Sequence, residues 1–125
     1  MKLFISYRRT DSELIAERIH AVLASEFSDV FIDRNLGAGD WLQQVMHAVN
    51  NADACIIVIG REWLTATNKE TGAMRLFELE DVVRLETQLA LLRPLTVIML
   101  VGGAQMPTAA QLPTTIQRLP SMQAF

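Results

Sequence analysis

Residues 54–60 read ACIIVIG, and this run decides the fold. It is continuously apolar and rich in β-branched side chains, which is typical of a strand buried on both faces of a parallel sheet. The run is far too short to cross a bilayer. Cys55, the single cysteine of the chain, lies within it, so we expect a buried core thiol and no internal disulfide. This cysteine usage is typical of a protein of the reducing cytosol.

Three further apolar runs predict strands on either side of it: KLFISY at 2–7, DVFID at 29–33 and PLTVIMLVGG at 94–103. Helical patterns fill the intervals, and the connections are short. This alternation predicts an α/β domain in which helices cover both faces of a central parallel sheet of four to five strands. With the common strand order 2-1-3-4, ligands bind beyond the carboxyl ends of the strands, between strands one and three.

Capping patterns mark the starts of two predicted helices. Thr10 and Glu13 form a capping box at the start of a helix over residues 10–27, and Asp40 with Gln43 opens the next helix. The first helix carries apolar side chains at helical spacing, which are Leu14, Ile15, Ile19, Val22 and Leu23.

Length and charge restrict the classes of function. At 125 residues the chain is a single domain, residues 1–125, with no room for a second core. The net charge of −3 argues against nonspecific binding to nucleic acid or acidic membranes, which needs a basic face. The start MKLFISY is followed at once by charged YRRTDSE, so it does not resemble a signal peptide. Prolines break residues 107–125, where we expect at most one short helix.

The stretch VVRLETQLALL, residues 82–92, places a carboxylate among apolar side chains. At about 100° per residue, one broad side of the predicted helix carries Val82, Val83, Leu85, Leu89, Ala90 and Leu92. Glu86 projects from the middle of that side. Burial there disfavours the charged carboxylate unless a cation or hydrogen-bond donors compensate, which makes Glu86 a candidate functional residue. The alternatives are a contact with Arg93 or a rotation of the helix that brings Glu86 to its edge.

Arg8 and Arg9 follow the first strand, where an anion entering the crevice would meet them. The fork of a guanidinium suits phosphate oxygens. The structural alternatives are two solvated surface arginines, or a salt bridge to Asp11 or Asp33. Three acidic residues before the last helix are expected only to favour the positive end of its dipole: Glu78, Glu80 and Asp81.

Asp33 ends the second strand and opens a loop with Gly37 and Gly39, which permit close backbone approach to a ligand or partner. An acidic group at this place can bind a ribose, and a simple turn is the alternative. The glycine-rich phosphate motif of a dinucleotide-binding dehydrogenase is missing after strand one, where the chain reads YRRT. His20 and His47 lack the spacing of a metal site, so no metal is predicted.

Four motifs, taken in order, resemble the Toll/interleukin-1 receptor (TIR) domain in its bacterial form: FISYRRTDS at 4–12, VFIDRNLGAGD at 30–40, ADACIIVIGREWL at 52–64 and EDVVRLETQLAL at 80–91. They are also similar to the TIR domain of the NAD hydrolase of axon degeneration. The resemblance runs from Lys2 to about Pro120 and stops before a final helix that such domains usually carry, which fits the N-terminal part of a longer protein. It implies a flavodoxin-like three-layer α/β/α fold.

The resemblance implies an NAD⁺ glycohydrolase that cleaves NAD⁺ to nicotinamide and ADP-ribose or a cyclic ADP-ribose isomer. It implies a cytoplasmic protein of bacterial antiphage defence, activated by self-association or by contact with other TIR domains, in filament-like assemblies. NAD⁺ is then the substrate, and neither a separate cofactor nor a metal is expected. Nucleic acid and membrane are not expected partners.

The family's W-x-x-x-E pattern carries its catalytic glutamate, and Glu86 takes that place here. Val82 stands at the aromatic position, which removes an apolar wall or stacking surface near the ligand. Phe77 and Trp63 are candidate substitutes for that ring. By resemblance, the substrate-binding residues are Tyr7, Arg8, Arg9, Asp33, Leu36, Gly37, Gly39 and Val82.

One carboxylate suffices for this reaction, because nicotinamide leaves as a neutral ring and needs no general acid. The remaining task is to stabilise an oxocarbenium-like ribose, which an anion such as Glu86 does electrostatically. Arg8 and Arg9 would hold the pyrophosphate and so orient the sugar. Two other functions stay open: a non-catalytic TIR interaction module (an adaptor or a virulence mimic of host signalling), favoured by Val82, and an N-glycosidase that acts on another base.

Overall fold

A computed structural model describes residues 1–32 and 41–125. The described residues form five parallel strands in the order β2-β1-β3-β4-β5. The strands are β1 (Lys2–Ser6), β2 (Asp29–Ile32), β3 (Ala54–Ile59), β4 (Thr96–Leu100) and β5 (Gln123–Ala124). The helices are α1 (Arg9–Ala24), α2 (Trp41–Asn51) and α3 (Val82–Ala90). The predicted α/β class is confirmed, and with it the strand order that places a switch point between β1 and β3.

β3 lies at the centre of the sheet, and all six of its residues are buried. Successive side chains point to opposite faces, so Cys55 belongs to the larger core beneath α2 and α3, while Ile56 belongs to the smaller core beneath α1. Cys55 is a free, fully buried thiol, as expected. Burial raises its pKa to about 11, with Arg93 lowering it and the negative charge of Glu86 raising it further. The thiol is therefore protonated and unreactive at neutral pH.

The prediction for the buried face of α1 is wrong in part. Leu14 and Val22 are exposed, at 79% and 65% of their surface, while the fully buried positions are Ser12 and Ala16. Ile19 and Leu23 are partly buried against the core, as expected. The small side chains of Ser12 and Ala16 let the helix backbone approach the sheet closely, so the bulkier residues are left on the outer side.

The predicted start of α1 is also wrong. The helix begins at Arg9 with Arg8 as its N-cap, and no side chain caps it, so Thr10 and Glu13 do not form the expected box. The helix ends at Ala24 rather than at residue 27. The proposed cap formed by Asp40 lies outside the described residues.

The C-terminal stretch forms more regular structure than expected. Three 3₁₀ turns cover Ala109–Gln111, Thr114–Ile116 and Leu119–Ser121, and the short β5 follows them. Proline is tolerated at the first positions of such turns, because their N–H groups need no intrahelical acceptor. The turns bury Ile116 and Leu119 completely. The expectation of at most one short helix was wrong because apolar anchors between the prolines hold each turn to the core.

No helix among residues 1–32 and 41–125 combines the length and apolar character needed to span a membrane.

Replacing Gly60 with alanine is expected to lower the free energy of unfolding by about 1–3 kcal/mol. Gly60 follows β3, and an added Cβ would lie 2.6 Å from Ser12 Oγ and 2.7 Å from Asp11 Cγ. Asp11 is itself held, since its Oδ2 accepts a hydrogen bond from the backbone N–H of Glu62 at 3.0 Å. The side chains of Ser12 and Asp11 at the start of α1 would therefore have to shift.

Urea denaturation followed by circular dichroism measures this loss. In a Ser12→Ala background the effect of Gly60→Ala should shrink, because one of the two clashes is removed. An unchanged unfolding midpoint in Gly60→Ala would contradict the expected clash.

Candidate active site

A cleft opens at the carboxyl end of β1, between that strand and the start of α3. We refer to it as the main cleft because Glu86 lines it, although its volume of about 260 Å³ is not the largest on the protein. Its lining consists of Tyr7, Arg8, Arg9, Thr10, Arg75, Glu80, Asp81, Val82, Val83 and Glu86. Five residues singled out from the sequence thus meet in one place, at the predicted switch point: Tyr7, Arg8, Arg9, Val82 and Glu86. The other four, Asp33, Leu36, Gly37 and Gly39, lie outside the described residues.

Glu86 is 1% exposed, and its carboxylate is held by β1. Ser6, the last residue of that strand and itself buried, donates a hydrogen bond from Oγ to Glu86 Oε1 at 2.8 Å. The predicted buried carboxylate is therefore confirmed, and the alternative of a helix edge is wrong. The prediction that Leu92 belongs to the apolar side of this helix is wrong, however. The helix α3 ends at Ala90, and Leu92 beyond it is 74% exposed.

A buried ion pair fixes the start of α3. Asp81 is the N-cap of this helix and accepts a hydrogen bond from the backbone N–H of Arg84 at 3.2 Å. Arg8 donates to both of its carboxylate oxygens, from Nη1 at 3.1 Å and from Nη2 at 2.9 Å. Arg8 Nε also donates to the backbone oxygen of Trp63 at 3.1 Å. Arg8 thereby joins the end of β1, the turn after β3 and the start of α3.

The sequence did not predict this role. A salt bridge of Arg8 to Asp11 was one alternative, but the partner is Asp81, and both side chains of the pair are 2% exposed. Asp81 was expected only to favour the helix dipole. Its position directly before the first apolar residue of a helical pattern is the signal that could have marked it as an N-cap.

Arg84 is a second buried cation that the sequence reasoning missed. It is 9% exposed and lies in the first turn of α3. Its guanidinium donates to the backbone oxygens of Glu78 at 3.1 Å and Leu79 at 2.9 Å. These bonds hold the segment that leads into α3, so the helix that carries Glu86 is fixed at its beginning by two arginines.

A family model described as TIR domain matches residues 3–116, nearly the whole chain. The chain belongs to the TIR family. No curated protein matches it. TIR domains include members that hydrolyse NAD⁺ and members that act by associating with one another or with other TIR domains.

The two consecutive arginines of this TIR domain have different environments. Arg8 is buried, whereas Arg9 is exposed at the rim of the main cleft and forms a hydrogen bond with the Tyr7 side chain. Burial of Tyr7 raises the pKa of its phenol, and the charge of Arg9 opposes that shift. Tyr7 is therefore a neutral phenol at physiological pH. The predicted role of Arg8 and Arg9 in binding substrate stays a prediction.

The aromatic position of the TIR pattern is filled by a small side chain. Val82 is partly exposed and lines the main cleft. Neither candidate substitute is part of this lining: Trp63 is completely buried, and Phe77 is 51% exposed elsewhere on the surface. Among the described residues, the cleft therefore has Tyr7 as its aromatic side chain.

Proposed function

We propose that this TIR domain is an NAD⁺ glycohydrolase, which cleaves NAD⁺ to nicotinamide and ADP-ribose or a cyclic ADP-ribose isomer. The observation that carries the proposal is the buried carboxylate of Glu86, which lines a cleft at the switch point of the sheet and is held in one orientation by Ser6. A carboxylate that only filled a core position would not be expected to face a cavity.

The proposed reaction breaks the bond between the ribose C1′ and the nicotinamide nitrogen. The bonding electron pair goes to the pyridinium ring, which leaves as neutral nicotinamide without needing a proton. C1′ becomes oxocarbenium-like, and the negative charge of Glu86 stabilises it. A water molecule then forms the new bond to C1′ and loses its proton to solvent, giving ADP-ribose. In the cyclic product, a nucleophilic atom of the same ADP-ribose takes the place of water.

Self-association is part of the proposal, as is a role in bacterial antiphage defence in the cytoplasm. Association with like domains is a property of the TIR family. In this chain α1 offers a surface for it, since Leu14 and Val22 are 79% and 65% exposed on its outer side. Burying these apolar side chains against another protein surface would be favourable. Filament-like assembly would raise the local concentration of active sites.

The test is an assay of the wild-type protein with NAD⁺ at high protein concentration and with a crowding agent. Chromatography follows the release of nicotinamide and identifies the second product. A panel of other nucleosides and nucleotides runs alongside. Preferential release of a different base would replace the NAD⁺ assignment by that of another N-glycosidase.

Replacing Val82 with tryptophan is expected to raise kcat/KM for NAD⁺ about two- to tenfold, because an aromatic contact contributes about 0.5–1.5 kcal/mol beyond its buried area. Val82 lines the main cleft at the position where the family pattern has a ring. Steady-state kinetics of nicotinamide release measure the change. Leu92→Trp, which adds the same ring at an exposed position that lines neither this cleft nor the proposed association surface of α1, is the matched control. A lower kcat/KM for Val82→Trp would show that the cleft is adapted to valine.

A second candidate function is a non-catalytic TIR interaction module. The valine at position 82 favours it, since the aromatic wall is missing. Enforced oligomerisation, by fusion to a coiled coil, separates the two functions. A fused protein that releases no nicotinamide, but binds another TIR domain, would replace the enzymatic proposal by this one.

A further inference from the structure

A second cavity of about 470 Å³ adjoins the main cleft. We refer to this cavity as the annex. Four residues line both spaces: Thr10, Arg75, Glu80 and Asp81. Because these side chains line both volumes, a ligand that extended from Glu86 into the annex would lie against them, Arg75 included.

Arg8 is poorly suited to hold a phosphate group. Its Nε, Nη1 and Nη2 atoms all donate hydrogen bonds within the protein, to Trp63 and Asp81, and the side chain is 2% exposed. Moving this guanidinium to a ligand would leave the Asp81 carboxylate buried and unpaired, which is strongly unfavourable.

Arg75 has the properties that Arg8 lacks. It is exposed, and its guanidinium forms no hydrogen bond or ion pair with any residue in the part of the chain that the structure describes. Its backbone is nevertheless anchored. The N–H donates to Ala66 at 2.8 Å, the carbonyl accepts from Glu78 at 2.9 Å, and the next residue, Leu76, is completely buried. A well-placed guanidinium with unused donors is a suitable phosphate ligand.

The charged side chains that line the annex favour a phosphate group at Arg75 rather than elsewhere in the cavity. The lining carries two cations, Lys69 and Arg75, and three carboxylates, of which Asp81 is paired with Arg8. The Glu78 carboxylate accepts from Asn68 Nδ2 at 3.1 Å. Glu80 is exposed, and a carboxylate of this kind accepts hydrogen bonds from ribose hydroxyls. The annex thus has one group for a phosphate and another for a sugar.

We propose that Arg75 binds the pyrophosphate of the substrate and that the annex holds the adenosine half. This inference rests on the proposed function only for the identity of the ligand, a dinucleotide with its reactive ribose at Glu86. The pyrophosphate then crosses from the main cleft to the annex at Arg75, and the second ribose lies beside Glu80. Arg75 is accordingly a binding residue that orients the substrate rather than a group that takes part in bond cleavage.

The first test is a calorimetric titration with ADP-ribose, which contains the pyrophosphate and adenosine but no nicotinamide. Arg75→Ala is expected to weaken Kd about 10- to 100-fold, as the loss of a hydrogen bond to a charged group does, and Arg75→Lys should fall between this variant and wild type. Arg61→Ala removes an exposed arginine that lines neither cavity and should bind like wild type. Unchanged Kd in Arg75→Ala, or no binding of ADP-ribose to wild type, overturns the inference.

The second test compares NAD⁺ with nicotinamide riboside, which has the same scissile bond but no phosphate. Arg75→Ala should lower kcat/KM for NAD⁺ about 10- to 100-fold and leave that for nicotinamide riboside within about twofold. Equal losses on both substrates would overturn the inference. If wild type cleaves neither substrate but binds ADP-ribose through Arg75, the proposed function fails and the binding site stands.

Discussion

Replacing Glu86 with glutamine is expected to lower the rate of NAD⁺ cleavage about 100- to 1,000-fold, the loss typical of removing one charge-stabilising group from a transition state. The substitution removes the negative charge but keeps the shape of the side chain. Its amide oxygen can still accept the hydrogen bond that Ser6 Oγ donates at 2.8 Å in the wild type. The loss should lie in kcat, because the oxocarbenium-like charge exists only in the transition state. Nicotinamide release under saturating NAD⁺ measures it.

The matched control is Glu70→Gln, which removes the charge of an exposed glutamate outside the main cleft and the annex. This control should retain wild-type activity. Thermal unfolding of Glu86→Gln establishes that the variant is folded before its rate is interpreted. A folded Glu86→Gln protein that cleaves NAD⁺ at the wild-type rate would show that another group stabilises the transition state.

Replacing Asp81 with alanine is expected to lower the free energy of unfolding by about 3–5 kcal/mol, because it leaves Arg8 buried without its counter-charge. The same change removes the N-cap of α3, which adds about 1 kcal/mol. For a domain of this size the unfolding temperature should fall by roughly 10–20 °C. Urea denaturation and thermal unfolding, both followed by circular dichroism, measure the two quantities.

Glu80→Ala is the control for this prediction, since it removes the neighbouring carboxylate, which is exposed. It should change stability by less than about 0.5 kcal/mol. The double variant Arg8→Met/Asp81→Leu should be less destabilised than Asp81→Ala, because it removes both buried charges together. Equal losses in Asp81→Ala and Glu80→Ala would contradict a role for the ion pair.

The parts of the fold that local pattern determines could be predicted from the sequence. The run of β3 is apolar at every position, so its burial follows from composition alone. Short connections between alternating strands and helices leave few topologies, and the order assumed because it is common, 2-1-3-4, is the one observed. Glu86 was detectable because a carboxylate interrupts an otherwise apolar helical face.

The parts that depend on distant partners could not be predicted. Arg8 and Asp81 are 73 positions apart, and nothing local distinguishes their pairing from pairings with nearer residues such as Asp11. The buried side of α1 was misjudged because periodicity locates large apolar residues, whereas close packing on the sheet selected Ser12 and Ala16. Arg84 was overlooked because its two shortest side-chain hydrogen bonds go to backbone oxygens, which every sequence has.

The buried ion pair between Arg8 and Asp81 also predicts how related sequences differ from this one. An exchange at either position alone leaves a buried charge without its counter-charge, so lineages are expected to keep both residues or to lose both. Arg9 is exposed, so its exchange leaves no buried charge behind, and we expect it to vary more freely than Arg8. We therefore expect the two arginines after β1 to vary independently of each other among related sequences. Arg8 should instead vary together with Asp81.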